Sequence, residues 1–266
     1  MILEKELIET LKILDSYLRN KNIPYILIGA QVPKILFSLN RSEKEYRPTK
    51  DLDLSIKCHG WNDYEALVND LEQMGFSRKE SRPEHTLFYK NTIIDLIPYI
   101  ENNIVKEHIT FPETNNVFNM KGFDKLFNNA IKKKINNNLY VQTVPLHLLV
   151  YSKIIAFLDR AKSKNNYDDL KDILYIFRNY DDVENSERRF EIDPKFNIKY
   201  EQRGAFLVGA DLKKILQNEE KEEVIKFLNL FKDEYSYPIQ KTSSPNKNES
   251  KETYKLIVAF REGINL

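Results

Sequence analysis

The sequence predicts an α/β (α+β) fold: a small mixed sheet flanked by helices, followed by a helical C-terminal part. Two observations carry that expectation. Up to residue 143, short apolar runs of strand length alternate with segments whose apolar residues recur every three or four positions. From residue 144 onward only the helical spacing persists. The expected organisation is a core domain over 1–143 and a helical domain over 144–266, with 237–250 as a linker.

The elements follow in order. Leu3, Leu7, Leu11, Leu14 and Leu18 give residues 2–20 one apolar helical face. Asn22 to Pro24 break it, and Tyr25-Ile26-Leu27-Ile28 reads as a buried strand ending at Gly29. A helix over Val32–Leu39 tolerates Pro33 in its first turn, where the missing N–H costs nothing. Asn40–Lys50 is a polar loop delivering the chain to a strand at Asp51. Residues 61–75 predict a helix capped by Asn62 or Asp63 and stopped by Gly75. Strands are expected at Phe76–Arg82, His85–Lys90 and Thr92–Pro98, the last two turning at Asn91. Residues 101–122 read as irregular. A hairpin joins Ile131–Ile135 to Leu139–Thr143 through three asparagines, with a helix as the alternative for its first arm. Helices follow from Val144-Pro145, over Tyr167–Tyr180, Phe206–Leu216 and Glu219–Phe231, and a short one over Glu252–Phe260. The stretches 181–197 and 237–250, the latter with a Lys-Thr-Ser-Ser-Pro-Asn-Lys tract, read as loop and linker.

The chemistry concentrates at Asp51-Leu52-Asp53-Leu54-Ser55-Ile56. Side chains alternate along a strand, so Asp51, Asp53 and Ser55 share one face and Leu52, Leu54 and Ile56 the other. Two carboxylates about 7 Å apart, held by an apolar back face, can converge on a shared pair of divalent metals. Asp95 interrupts the apolar strand Ile93-Ile94-Asp95-Leu96-Ile97. An unpaired buried carboxylate is costly, so it needs a cation, a hydrogen bond or water, and a metal shared with Asp51 and Asp53 would serve. The strand–Gly29–helix junction offers backbone N–H groups to a phosphate. Asp169 and Asp172 share a helix face near its N-terminus, where capping is the competing role. Lys132-Lys133-Lys134 reads as a solvated face, with contact to RNA or phosphate as the alternative.

Composition narrows the partners. In 266 residues the formal net charge is +1, so any grip on nucleic acid must come from a local patch. Cys58 is the only cysteine, which excludes an intramolecular disulfide and fits a reducing compartment. No apolar run is long enough to span a bilayer and the first residues are not a signal peptide, so a cytoplasmic protein is expected. His59, His85, His108 and His147 lack metal-ligand spacing, and no P-loop, dinucleotide fingerprint or nucleophile elbow occurs.

Arg47-x-Thr49-x-Asp51-Leu52-Asp53, Ile94-Asp95-Leu96-Ile97, and Lys153-x-x-Ala156-x-x-x-Arg160 followed by Asp169-Leu170-x-Asp172-Ile173 together resemble the polymerase-β-like nucleotidyltransferases. More narrowly they resemble the AbiEii-type nucleotidyltransferases, toxins of toxin–antitoxin pairs. The resemblance spans residues 25–175, with a faint echo at Gly204-Ala205-Phe206-Leu207. It implies a polymerase-β-like nucleotidyltransferase core that transfers a nucleoside monophosphate from an NTP to an acceptor hydroxyl. RNA, at a tRNA end, is the leading acceptor and an antitoxin protein the partner. Asp51 and Asp53 would bind Mg²⁺ (or Mn²⁺), and Asp95 would complete the site as ligand or base. Gly29 and Ala30 would contact the triphosphate, with Arg47 and Thr49 steadying the loop or nucleotide. Lys153 would reach the phosphates, with Arg160 nearby and Asp169 or Asp172 orienting it or the acceptor. Such families carry Gly-Ser or Gly-Gly where this chain has Gly29-Ala30, so phosphate binding there would rest on backbone N–H groups. A small-molecule acceptor such as an aminoglycoside, or a degenerate binder without turnover, are the competing functions.

Overall fold

A computed structural model describes residues 5–37, 49, 51–100, 102, 107–160, 167–182, 187–243 and 247–265. Arg47, most of the expected 40–50 loop and residues 161–166 lie outside the described residues. The chain divides into two compact units, Met1–Pro145 and Leu146–Leu266.

The first unit opens with α1 (Lys5–Asn20), whose Leu7, Leu11, Leu14 and Leu18 are buried as their spacing predicts. Next come β1 (Tyr25–Ile28), α2 (Gln31–Phe37), β2 (Asp51–Lys57) and α3 (Trp61–Gln73). Then follow β3 (Thr86–Tyr89), β4 (Thr92–Tyr99), β5 (His108–Thr110), β6 (Val117–Asn119), α4 (Phe123–Asn128), β7 (Ile131–Asn136) and β8 (Leu139–Thr143). Six strands form one mixed sheet in the order β3-β4-β2-β1-β8-β7, and β5 and β6 pair separately. Within the large sheet β2–β4 and β1–β8 run parallel and the other pairs antiparallel. The mixed α/β class and the helical C-terminal part are as the sequence predicts.

The sheet has unequal faces. Leu52, Leu54, Ile94 and Leu96 are fully buried, and Thr10 of α1 donates to Thr92 while Tyr64 of α3 donates to the Leu96 carbonyl. On the other face Asp51, Asp53, Ile93, Asp95 and Ile97 are only half-buried.

Several local expectations are corrected. Phe76–Arg82 is not a strand: only Ser77 pairs, with Phe88, because Arg78 turns back to Glu72 and Glu65 on α3. The extended residue that starts α3 is Gly60 rather than Asn62 or Asp63, and the Asp63 carboxylate accepts the His59 N–H. The irregular 101–122 stretch contains the β5–β6 hairpin, which needs only three residues an arm. The six-residue α4, too short to show a period, follows Gly122 in the left-handed region.

The second unit comprises α5 (Leu146–Arg160), α6 (Asp168–Asn179), α7 (Arg203–Ile215), α8 (Asn218–Leu228), α9 (Tyr237–Thr242) and α10 (Lys247–Ile264). α5 buries Leu146, Leu148, Leu149, Val150, Tyr151, Ile154, Ile155 and Phe157, more than a single helical stripe. Short 3-10 turns occupy much of 180–202. The expected 237–250 linker is corrected: α9 fills 237–242 with Ile239 buried, and α10 has begun by Lys247. Pro238 sits in the first turn of α9, where proline favours a helix rather than breaking it.

α7 and α10 cross closely enough to exclude side chains. A Cβ at Gly209 would lie 2.4 Å from the Phe260 carbonyl oxygen, and one at Gly263 only 2.0 Å from that of Phe206. Glycine costs each helix about 1 kcal/mol against alanine. Gly263→Ala should nevertheless lower the unfolding free energy by about 2 kcal/mol, because backbone must move to admit the methyl. Urea unfolding measures this; a stabilised variant would show that the crossing is looser than described.

Candidate active site

In the first unit the candidate site is built by strand register. Asp53 on β2 stands opposite Asp95 on β4, and in a ladder opposed residues share a face. Asp51 is two residues back on the same face, opposite Ile93. Thr86 of β3 is opposite Asp95 and donates its hydroxyl to Asp95 Oδ1 at 2.7 Å. On the other side Ile28 of β1 stands opposite Asp53. Asp51, Asp53 and Asp95 thus lie on one face of neighbouring strands.

Gly29 has a structural role there that spacing did not reveal. Its φ is +72°, and a Cβ would fall 1.9 Å from Asp53 Oδ2. The missing side chain is therefore the space the Asp53 carboxylate uses. Ala30 is buried, so its methyl is turned into the protein.

Thr49 is held from three directions. Its carbonyl accepts Gln31 Nε2 at 2.9 Å and Lys34 Nζ at 3.2 Å, and its hydroxyl accepts the Asp51 N–H at 3.3 Å. Gln31 and Lys34 are three apart on α2 and so share its face; sequence reading passed over both. Gln31 Oε1 is buried without a hydrogen-bond partner.

His85 was also passed over. It is buried against Phe111 and Phe118, and its Nδ1 has no hydrogen-bond partner. Burial pushes its pKa below the ordinary value, opposed by the nearby charges of Asp95 and Glu84. Its clue in the sequence was its place between an acid and the threonine that pairs with Asp95.

The donor set suits a hard divalent cation: three carboxylates on one face, with no sulfur or imidazole among them. Among the described residues no three acidic, cysteine or histidine side chains are gathered closely enough to hold a metal ion by themselves. Mg²⁺ does not require such a cage, since it is commonly held by one or two carboxylates together with substrate phosphates and water. By the chemistry of their donors the carboxylates therefore fit Mg²⁺.

The remaining candidates lie in the second unit. Lys153 Nζ is 3.0 Å from Asp169 Oδ1 and 2.9 Å from Asp172 Oδ2, and Arg160 reaches Asp169 Oδ2 at 2.8 Å. Both aspartates are almost fully buried. They tie α5 to α6, and the N-cap position of α6, Tyr167, makes no side-chain capping bond.

A second buried network is centred on Asp211 of α7. Arg188 donates to both of its oxygens at 2.7 Å, Lys214 to one at 3.2 Å, and Tyr180 to Oδ2 at 2.8 Å. Burial opposes ionisation of Asp211, but the Arg188, Tyr180 and Lys214 contacts outweigh it and lower its pKa. Tyr180 Oη is also 3.0 Å from His147 Nδ1. Because Tyr180 gives its proton to Asp211, the network assigns the Nδ1–H tautomer to His147.

Lys153→Met should cost about 3 kcal/mol of unfolding free energy, by removing the lysine partner of buried Asp172 and leaving Asp169 with Arg160 as its remaining cation. Adding Asp172→Leu should recover part of that loss, and a Lys153→Met protein of unchanged stability would deny the bridge any structural weight. His147 supplies a pH dependence. Burial outweighs the attraction of Asp211 and, with Arg188 and Lys214, lowers its pKa from 6.5 to about 4. Between those values the unfolded chain binds a proton that the folded one refuses. The stabilising contribution is full above pH 6.5 and declines toward pH 4. Chemical unfolding of His147→Gln across that range should show a flatter acid limb than the parent.

No family model and no curated protein matches this chain. Among solved structures, it is similar to an antigenic nucleotidyltransferase-like protein from Paracoccidioides brasiliensis. That likeness has 18% identity and a TM-score of 0.41, over 65% of this chain and 76% of the other. It is also similar to the antibiotic-resistance factor ANT(2'')-Ia, with 11% identity and a TM-score of 0.38, over 63% of this chain and 79% of the other.

Proposed function

We propose that the chain is a metal-dependent nucleotidyltransferase. It would move a nucleoside monophosphate from an NTP to an acceptor hydroxyl, with RNA as acceptor and the toxin of a toxin–antitoxin pair as its biological role. The observation that carries the chemistry is the opposition of Asp53 and Asp95, with Asp51 on the same face and Thr86 bonded to Asp95. The RNA acceptor, the toxin role and an antitoxin partner are supported by the sequence resemblance alone.

Asp51 and Asp53 would hold Mg²⁺ or Mn²⁺. The bound ion supplies neutralisation of the triphosphate charge and polarisation of the acceptor hydroxyl. The chain's own residues do the positioning. Thr86 fixes one oxygen of Asp95, leaving the other to take the acceptor proton. Gly29 lets the Asp53 carboxylate sit against the backbone. Gln31 and Lys34 anchor Thr49, and Thr49 in turn receives the first N–H of the carboxylate strand. Arg47 keeps the role the resemblance gives it, outside the described residues. The resemblance assigns Lys153 to the phosphates, and within its own unit it is paired with Asp169 and Asp172.

Transfer is read by incubating the full chain with Mg²⁺ or Mn²⁺, each α-labelled NTP and total RNA. Label on a tRNA-sized band, absent from Asp51→Ala/Asp53→Ala and reduced at least 100-fold in Asp95→Asn, is the expected result. NTP binding without RNA labelling would discard the RNA-modifying role and turn attention to small-molecule acceptors. Absence of NTP binding would discard the enzyme.

A further inference from the structure

We propose that the β7–β8 hairpin is a binding strip for single-stranded nucleic acid, with Lys132 and Lys134 on the phosphates and Tyr140 stacking on a base. Three observations converge on it. The first is charge: residues 131–143 carry three lysines and no aspartate or glutamate, in a chain that holds 40 acidic residues and a net charge of +1. The second is presentation. Lys132, Lys134 and Tyr140 are all exposed, Lys134 is opposite Tyr140, and the Lys132 ammonium lies 5.0 Å from the Tyr140 ring centre. Among the described residues neither Lys132 nor Lys134 has an ion pair.

The third observation is the face. Ile28 is opposite Asp53 and Leu27 is opposite Thr143, so Thr143 lies on the face away from the carboxylates and Gln142 and Tyr140 lie on theirs. Lys132 pairs with Gln142 and Lys134 with Tyr140. The lysines and the tyrosine therefore lie on the same sheet face as Asp51, Asp53 and Asp95. β7 is three strands from β2, roughly 14 Å at the usual strand spacing, a span of two or three nucleotides.

β7 is a sheet edge, and lysines on an edge discourage pairing with other chains. That role needs charge at the edge, but neither an exposed tyrosine beside it nor alignment with the carboxylates. A phosphate backbone with bases stacking on an aromatic ring needs all three. The strip rests on the nucleotidyl-transfer reading only for the direction in which a bound strand would lead.

The test is fluorescence anisotropy of a labelled oligouridylate with the full chain and no NTP, between 50 and 200 mM KCl. Lys132→Gln/Lys134→Gln should weaken binding at least about tenfold and reduce the salt slope by about 1.4, two phosphates at ~0.7 each. Tyr140→Ala should weaken binding about tenfold and leave the slope unchanged. Lys171→Gln/Lys226→Gln, an equal charge change on exposed helical lysines, should bind as the parent does. A parent that binds no oligonucleotide, or a hairpin double variant that binds like the helical one, overturns the strip. So does a hairpin double variant that merely self-associates in gel filtration while binding RNA normally. Since no NTP is present, hairpin-dependent binding without transfer would sink the transferase and keep the strip. Transfer without hairpin-dependent binding would do the reverse.

Discussion

The register between β2 and β4 is the constraint on which the first unit depends. It sets Asp53 directly beside Asp95, and like charges opposed across a ladder repel. A one-residue slip of either strand would separate the carboxylates but would also push Leu54 or Leu96 out of the core. Leu52, Leu54, Ile94 and Leu96 are fully buried, so burying them at ~25 cal/mol per Å² holds the register that the carboxylates alone would oppose. The fold spends core energy to keep acids together, and a bound divalent cation would turn that repulsion into attraction.

The second unit treats its ions differently. Asp169 and Asp172 are neutralised by Lys153 and Arg160, and Asp211 by Arg188 and Lys214. Each cluster joins separate elements: the consecutive helices α5 and α6, and the turn at Arg188 to α7. Ion clusters of this kind add little net stability over an apolar packing, yet breaking one is expensive. Their effect is to fix how helices sit, which hydrophobic contacts, being non-directional, specify less sharply. The glycine crossing of α7 and α10 fixes another pair by steric means.

What could be read in the sequence follows from the range of each signal. Strand alternation placed Asp51 and Asp53 on one face because that relation is local. The Asp53–Asp95 opposition was legible only as an expectation, since 42 residues and an intervening strand separate them. Gly29 was visible as a strand-ending glycine, but its reason, the Asp53 carboxylate lying where a Cβ would be, is a tertiary contact. Gln31 and Lys34 escaped because nothing in their neighbours' spacing marks them, and His85 because its place beside Thr86 gains meaning only once Thr86 is paired with Asp95. Tyr237–Ser250 was misread because its polar, proline-bearing composition suits a helix start as well as a linker. Pro238 decided between them by where it fell, in the first turn of α9.

The asymmetry of the sheet connects packing to chemistry. A sheet covered equally on both faces would be more stable, but carboxylates cannot be sealed in apolar surroundings without losing their charge. This chain loads its apolar burial onto the Leu54 face and leaves Ile93, Asp95 and Ile97 half-buried on the other. The same face carries Lys132, Lys134 and Tyr140 at its far edge. Negative charge in the middle and positive charge at the rim is the pattern expected where a polyanion is gripped at a distance from a cation-dependent centre. A grip placed beside the carboxylates would neutralise them and weaken their hold on a metal. Separation across three strands leaves each charge its own partner, and that spacing is fixed by strand order rather than by any loop.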